Sequence, residues 1–235
     1  MAASTPGSAT HTGPWDAIVL GAGHNALIAA AYLAKGGLRT LVLERRDRVG
    51  GAADTSEIGP NLRVPTLAHT VGRLRPSVHR DLDLKRHGLA LMAPDIRVFA
   101  PALDGGPSVT LWDDVERTAE GLRALSPADA DAYPAFDRLV RSIGRFLDEL
   151  GRSTPPDVRA PGLSDALTGL RLGRQFRGLG KGDSRTILRV LPMAVADFVA
   201  EAFEHDGLRA AVAWRGVRYC AVGPWSAGTA AVLLQ

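Results

Sequence analysis

The sequence predicts an α/β fold opening on a strand–helix–strand unit, and three observations between Asp16 and Gly51 predict it. The apolar run Ala17-Ile18-Val19-Leu20 has the length and composition of a buried strand. A glycine turn, Gly21-Ala22-Gly23-His24-Asn25-Ala26, leads from it straight into an alanine-rich helix. A second apolar run, Thr40-Leu41-Val42-Leu43, follows and ends on Glu44. Two neighbouring strands joined through a crossover helix run parallel, so the unit reads as βαβ.

The turn carries chemistry as well as geometry. Gly21 permits the tight bend from strand to helix, and Gly23 leaves room for a pyrophosphate to approach the N–H groups at the helix N-terminus, where the dipole favours negative charge. Ala26 takes the place of a third glycine, whose role there is helix–strand packing. His24 and Asn25 open the helix beside the phosphate position. Glu44, 23 residues after Gly21, is placed to accept the hydroxyls of a ribose and to repel a 2′-phosphate, with Arg45 next to it. A second glycine pair, Gly50-Gly51, follows at a spacing that brings another backbone segment against the pyrophosphate, which favours FAD over NAD. The expected fold is a Rossmann-like FAD/NAD(P)-binding domain with an inserted mixed β and helical region, its sheet incomplete. The expected cofactor-binding set is Gly21, Gly23, His24, Asn25, Ala26, Glu44, Arg45, Gly50 and Gly51.

In chain order, residues 1–14 read as a disordered tail with neither signal nor transit-peptide character. Residues 15–75 hold the βαβ unit. Its helix presents Ala26, Ala29, Ala30 and Ala34 to the strands and ends at Gly36-Gly37. A loop with a short strand at Leu62-Arg63-Val64 comes next. Residues 76–125 form a mixed segment: a short helix over Ser77 to Leu84, strands at Leu89–Met92, Ile96–Ala100 and Ser108–Trp112, and a helix capped by Asp113 or Asp114, with Glu116 placed for a capping box. The last two strands are joined through Asp104-Gly105-Gly106-Pro107, a hairpin-like turn.

Residues 126–235 read as a helical substrate or cap region. Ser126-Pro127-Ala128-Asp129 is a helix start, with Phe136, Leu139, Ile143, Phe146 and Leu147 as the apolar stripe of the helix and a bend expected near Pro134. A linker-like stretch, 151–161, precedes helices near Ser184–Phe203 and Gly207–Arg215. The run Ala230-Ala231-Val232-Leu233-Leu234 suits a buried element, and no second parallel βαβ unit follows the first. The chain is therefore expected to be the N-terminal part of something longer.

Composition narrows the chemistry. The excess of Lys and Arg over Asp and Glu, 28 against 25, is too slight for a nucleic-acid surface. A single cysteine, Cys220, rules out an internal disulfide, a Cys-x-x-Cys redox pair and a thiolate metal site, and makes a reducing cytoplasm the default. No pair of histidines has metal-ligand spacing. His69 lies where an isoalloxazine ring often passes, although a structural histidine is the plainer reading. Trp112, Trp214 and Trp225 read as core. The basic stretch Arg171, Arg174, Arg177, Lys181 and Arg185, interleaved with Leu172 and Phe176, reads as a solvated helical face, with peripheral membrane contact as the alternative. Oligomeric state is left open.

The segment Asp16 to Ala53 resembles the FAD-binding opening of the phytoene desaturase-like flavoproteins, relatives of the amine oxidases. The likeness rests on Gly21-Ala22-Gly23-His24-Asn25, Leu43-Glu44-Arg45-Arg46, Gly50-Gly51-Ala52-Ala53, the string from Arg80 through Leu84-Lys85-Arg86-His87-Gly88-Leu89, and Ser126-Pro127 with Ala132-Tyr133. It implies that Gly21, Gly23 and Ala26 line the pyrophosphate, that Glu44 binds the adenosine ribose, and that Gly50-Gly51 face the phosphates. It also implies an FAD-dependent oxidoreductase taking hydride from a C–H bond of a small, apolar substrate. Ala52 stands where amine oxidases and carotenoid desaturases carry arginine after the double glycine, so neither of those substrates is implied. The rival readings are an NAD-linked dehydrogenase and a truncated, non-catalytic nucleotide-binding protein.

Overall fold

The structure, a computed structural model, describes residues 13–68, 70–102, 105–157, 159–160 and 162–235, and Lys181 through its backbone alone. The expectations for the tail through residue 12, for His69, for Asp104 in the hairpin turn and for the side chain of Lys181 lie outside the described residues. The chain divides into two compact units, residues 1–92 and 93–235.

In the first unit β1 (Ala17–Leu20) and β2 (Thr40–Leu43) pair in parallel, Ala17 with Thr40 through Leu20 with Leu43, and α1 (His24–Lys35) connects them. The α/β character is thus a two-stranded parallel sheet with one crossover helix. An ion pair braces its lower end: the Asp16 carboxylate accepts the Arg39 backbone N–H at 2.9 Å, Nε at 2.9 Å and Nη2 at 2.8 Å. These bonds, the side-chain ones first, hold the Asp16 carboxyl well below the usual carboxylate range.

Along β1, Ala17 and Val19 are half-buried while Ile18 and Leu20 are exposed, because α1 covers only one face. The helix packs through Ala26 and Ala30. Ala29 and Ala34 are exposed, so the expected alanine face is only half right. Gly36 caps α1 and Gly37 takes φ +90°, as a helix-ending glycine does.

Beyond the turn at Gly51–Ala53, the segment read as loop is a hairpin, β3 (Thr55–Gly59) with β4 (Leu62–Pro65). Thr55-Ser56-Glu57 carries too little apolar alternation to have announced its strand. The short helix α2 spans Pro76–Asp81, ending earlier than expected. Asp81 ties it to the end of α1, accepting from the Tyr32 hydroxyl at 3.0 Å through its carboxylate and from the Lys35 ammonium through its carbonyl. Leu89–Met92, expected as a strand, is irregular backbone.

The second unit starts with the antiparallel hairpin β5 (Ile96–Ala100) and β6 (Val109–Trp112), which turns Val109 and Leu111 inward. Asp114, not Asp113, caps α3 (Val115–Leu122), accepting from the Arg117 amide at 2.9 Å. Arg117 therefore holds the third helical position, and Glu116 sits one place too early for a capping box. α4 (Pro127–Arg152) is capped by Ser126 and runs unbroken through Pro134. α5 (Leu163–Gly178) and α6 (Gly180–Val190) follow. The single long helix expected to Phe203 is interrupted around Pro192, which has no N–H to continue it, and resumes as α7 (Val195–Ala200). α8 (Asp206–Val217) and α9 (Thr229–Leu234) complete the unit.

The core of this unit is one cluster of Ile143, Ile187, Val190, Leu208, Val212 and their neighbours, joined by the C-terminal Ala230, Leu233 and Leu234. Phe136 packs on Phe198 at 5.3 Å between ring centroids and edge-on to Phe203 at 4.8 Å. Of the three tryptophans expected inside, only Trp112 is partly covered, with the Arg117 guanidinium 3.4 Å over its ring. Trp214 and Trp225 are exposed.

Asp129 locks α4 to the α7–α8 connection. Its buried carboxylate accepts the Glu204 N–H at 2.8 Å and the His205 N–H at 2.9 Å, while the Ser126 hydroxyl donates to Glu204 at 2.7 Å. Asp129→Ala strips both amides of their partner and is expected to destabilise this unit by about 3 kcal/mol, read from urea unfolding. Asp129→Asn, which keeps one acceptor oxygen, is expected to lose clearly less.

Candidate nucleotide-binding site

The first strand sets the site, because its last pairing hands the chain to the glycine turn. The Gly21 N–H donates to the Leu43 carbonyl at 2.7 Å, so the turn begins where the parallel ladder ends. Gly21 takes φ +91°, a conformation that L side chains rarely adopt. Gly23 precedes α1 as its N-cap and offers no side chain to the helix, and the first turn of α1 holds no acid. The amides of that turn therefore have neither an intrahelical partner nor a side-chain cap. A Cβ placed on Gly21 or Gly23 would meet nothing within 4 Å, so the space over the turn is open to a ligand.

Two further segments close on this turn, and Ala22 is the point both of them touch. Its N–H donates to Glu44 Oε2 at 2.6 Å, and its carbonyl accepts from the Gly50 N–H at 2.8 Å. Gly23 and Gly50 form an isolated parallel bridge. Gly50 and Gly51 take φ +118° and +61°, and a Cβ on Gly51 would lie 2.9 Å from the Gly23 Cα. The second glycine pair is thus backbone packed directly against the first, an approach no side chain at Gly51 would allow.

Glu44 sits just past β2, where its second oxygen also finds an amide: Oε1 accepts from the Arg46 N–H at 2.9 Å. Hydrogen bonds from the Arg46 and Ala22 amides, in that order, hold its carboxyl below the ordinary glutamate value. Each oxygen keeps a further lone pair for a hydroxyl donor. Because the shift is downward, the contribution of ionised Glu44 is complete above the unfolded-state value and fades only as pH falls through the lower folded-state one. FAD affinity measured by flavin fluorescence is accordingly expected to show no Glu44 titration between about pH 5 and pH 8.

The structure brings Gly21, Gly23, Glu44, Gly50 and Gly51 together around Ala22. Ala26 is half-buried on the inner side of α1, whereas His24, Asn25 and Arg45 are exposed. Sequence reading overlooked Ala22, whose side chain announces nothing because its role lies in the backbone. It also overlooked the clamp on the connecting loop, where the Asp54 carboxylate holds Arg46 Nη2 at 3.3 Å and Arg48 Nε at 3.1 Å. An acid three residues beyond a double glycine, preceded by two arginines, was the available signal. Among the described residues, no group of three His, Cys, Asp or Glu side chains is placed to hold a metal ion, and no helix is long and apolar enough to cross a membrane.

Residues 19–83 match the family model described as an NAD(P)-binding Rossmann-like domain, a range that contains every residue of the turn except its anchoring strand start. Pyridine nucleotide-disulfide oxidoreductase domain-containing protein 2 of Rattus norvegicus is 34% identical over 234 residues, covering 94% of this chain and 40% of that protein. A limonene dehydrogenase component from Castellaniella defragrans is 37% identical over 119 residues, 50% of this chain and 21% of that protein. All-trans-retinol 13,14-reductase of Rattus norvegicus is 46% identical over 135 residues, 54% of this chain and 22% of that protein. The chain thus spans less than half the length of each relative.

Proposed function

For a chain that carries an NAD(P)-binding Rossmann-like domain and is related along most of its length to pyridine nucleotide-disulfide oxidoreductase domain-containing protein 2, we propose that the turn holds the adenosine and pyrophosphate half of FAD in an oxidoreductase. The observation that carries this reading is the contact of Gly50 and Gly51 with Ala22 and Gly23, which supports a second backbone wall beside the pyrophosphate position. An NAD site needs only the first.

The chain's own residues divide the work. The amides at the start of α1 receive the phosphate charge, helped by the helix dipole. Gly23 and Gly51 keep the approach free of side chains. Glu44, ionised and held from two amides, accepts the ribose hydroxyls and excludes a 2′-phosphate by charge. FAD, when bound, supplies the acceptance of hydride from a C–H bond, and the protein contributes binding and orientation. Cys220 is the single cysteine of the 235 residues, so dithiol chemistry within this chain is not part of the proposal. The relatives named for a dehydrogenase and a reductase support redox work of this general kind, with the substrate left open.

Glu44→Ala is expected to weaken FAD binding by on the order of tenfold to a hundredfold, the range for losing hydrogen bonds to a charged group. The reading as a whole is tested by the purified protein: a visible flavin absorption band that bleaches on anaerobic reduction supports it. Nicotinamide nucleotide recovered in place of flavin would overturn it.

A further inference from the structure

α5 turns leucines the wrong way for a helix that only packs on its own protein. Its half-buried positions are Asp165, Thr168, Leu172 and Phe176, spaced as one helical face, and Phe176 meets Phe146 at 5.6 Å between ring centroids. The opposite face carries Leu163, Leu167 and Leu170 at i, i+4 and i+7, exposed by 80%, 60% and 61%. Leu172 and Phe176, the apolar residues that sequence reading paired with the basic stretch, therefore face inward, and three other leucines face out.

Charge on the outward face has one sign. Arg174 continues the leucine row at i+11, while Arg171 and Arg177 flank it on either side. The one acid of the helix, Asp165, lies on the inner face and accepts the Gly162 N–H at 2.8 Å. Arg171 is also tied to Glu149, which fixes the helix to α4. An exposed leucine stripe bordered by arginines suits a surface that is apolar at depth and anionic at its boundary. Arginine stems can lie along such a boundary with their guanidinium groups at the phosphate level.

We propose that the outer face of α5 is a peripheral docking surface for an anionic lipid bilayer, with Leu163, Leu167 and Leu170 entering the acyl boundary and Arg174 and Arg177 meeting the headgroups. The helix, about 24 Å long at 1.5 Å per residue, lies along the membrane plane and does not cross it. The inference stands apart from the flavin reading, since it uses no residue of the nucleotide turn.

The test is sedimentation of the full chain with vesicles of phosphatidylcholine alone and with about one third phosphatidylserine. The expected result is binding to the anionic vesicles that weakens with salt. Arg174→Gln and Arg177→Gln are each expected to lower the partition coefficient about fivefold, the equivalent of ~1 kcal/mol per charge. The triple change Leu163→Ser, Leu167→Ser, Leu170→Ser is expected to abolish pelleting while circular dichroism and melting temperature hold, because all three side chains are already exposed. Wild-type protein left in the supernatant with anionic vesicles overturns the proposal, as does a triple variant that pellets as well as wild type. A concentration-dependent dimer dispersed by the triple change, without vesicle binding, also overturns it in favour of a second copy of the chain as occupant.

Discussion

Gly51→Val is expected to abolish FAD binding, raising Kd by about a hundredfold or more, the equivalent of some 3 kcal/mol. Two costs act at once. A β-branched residue at φ +61° is strained in its own backbone. Its Cβ would also stand 2.9 Å from the Gly23 Cα, a backbone atom that cannot rotate away. The loop must retreat, and the Gly50 N–H to Ala22 carbonyl bond at 2.8 Å goes with it. Gly23→Ala is the informative companion. Gly23 has an ordinary φ of −70° and open space around its missing Cβ, so the variant should fold normally and lose affinity only because the methyl enters the ligand's approach. A Gly23→Ala protein with unchanged affinity would place the phosphate elsewhere.

Gly216→Val is expected to cost the second unit about 3 kcal/mol, the upper part of the usual range for overpacking a filled core. Gly216 is where α8 passes α7 and the start of α9: a Cβ there would lie 2.7 Å from Val195 Cγ2 and 2.8 Å from the Thr229 carbonyl oxygen. Thr229 cannot yield easily, since its buried hydroxyl accepts the Val195 N–H at 2.8 Å and donates to the Ser226 carbonyl at 2.7 Å. The measurement is the urea midpoint of the second unit's transition, with the slope unchanged. A midpoint within error of wild type would mean that the helices are not in close contact at this position.

The nucleotide turn was legible because its parts are local. Strand, glycines, helix and acid lie within one stretch of sequence, and each has a residue type that the geometry requires. Gly50-Gly51 could be read as a partner to the turn from spacing alone, whereas Ala22 could not, since any residue supplies the same amide and carbonyl. The hairpin β3–β4 escaped notice because a half-exposed ladder of Thr, Ser and Glu has no apolar rhythm. The strand expected over Leu89–Met92 failed for the opposite reason: a short apolar run is not enough without a neighbour to pair with. In the helical unit, apolar periodicity located Phe136 and Ile143 correctly but gave Trp214 and Trp225 to the core on size alone. For α5, periodicity could not say which of two leucine-bearing faces would turn inward. That choice was made by Phe176 meeting Phe146, a contact with no local signature.

The central claim is that Glu44 and the two glycine pairs form a site for an adenosine diphosphate group with a free 2′-hydroxyl. Its most direct test is a calorimetric titration of this chain with FAD, repeated in competition with ADP-ribose and with 2′-phospho-ADP-ribose. The account predicts saturable binding of one FAD per chain, displaced by ADP-ribose and hardly at all by its 2′-phosphorylated form. Absence of any saturable heat with FAD, or equal displacement by the two competitors, would contradict it.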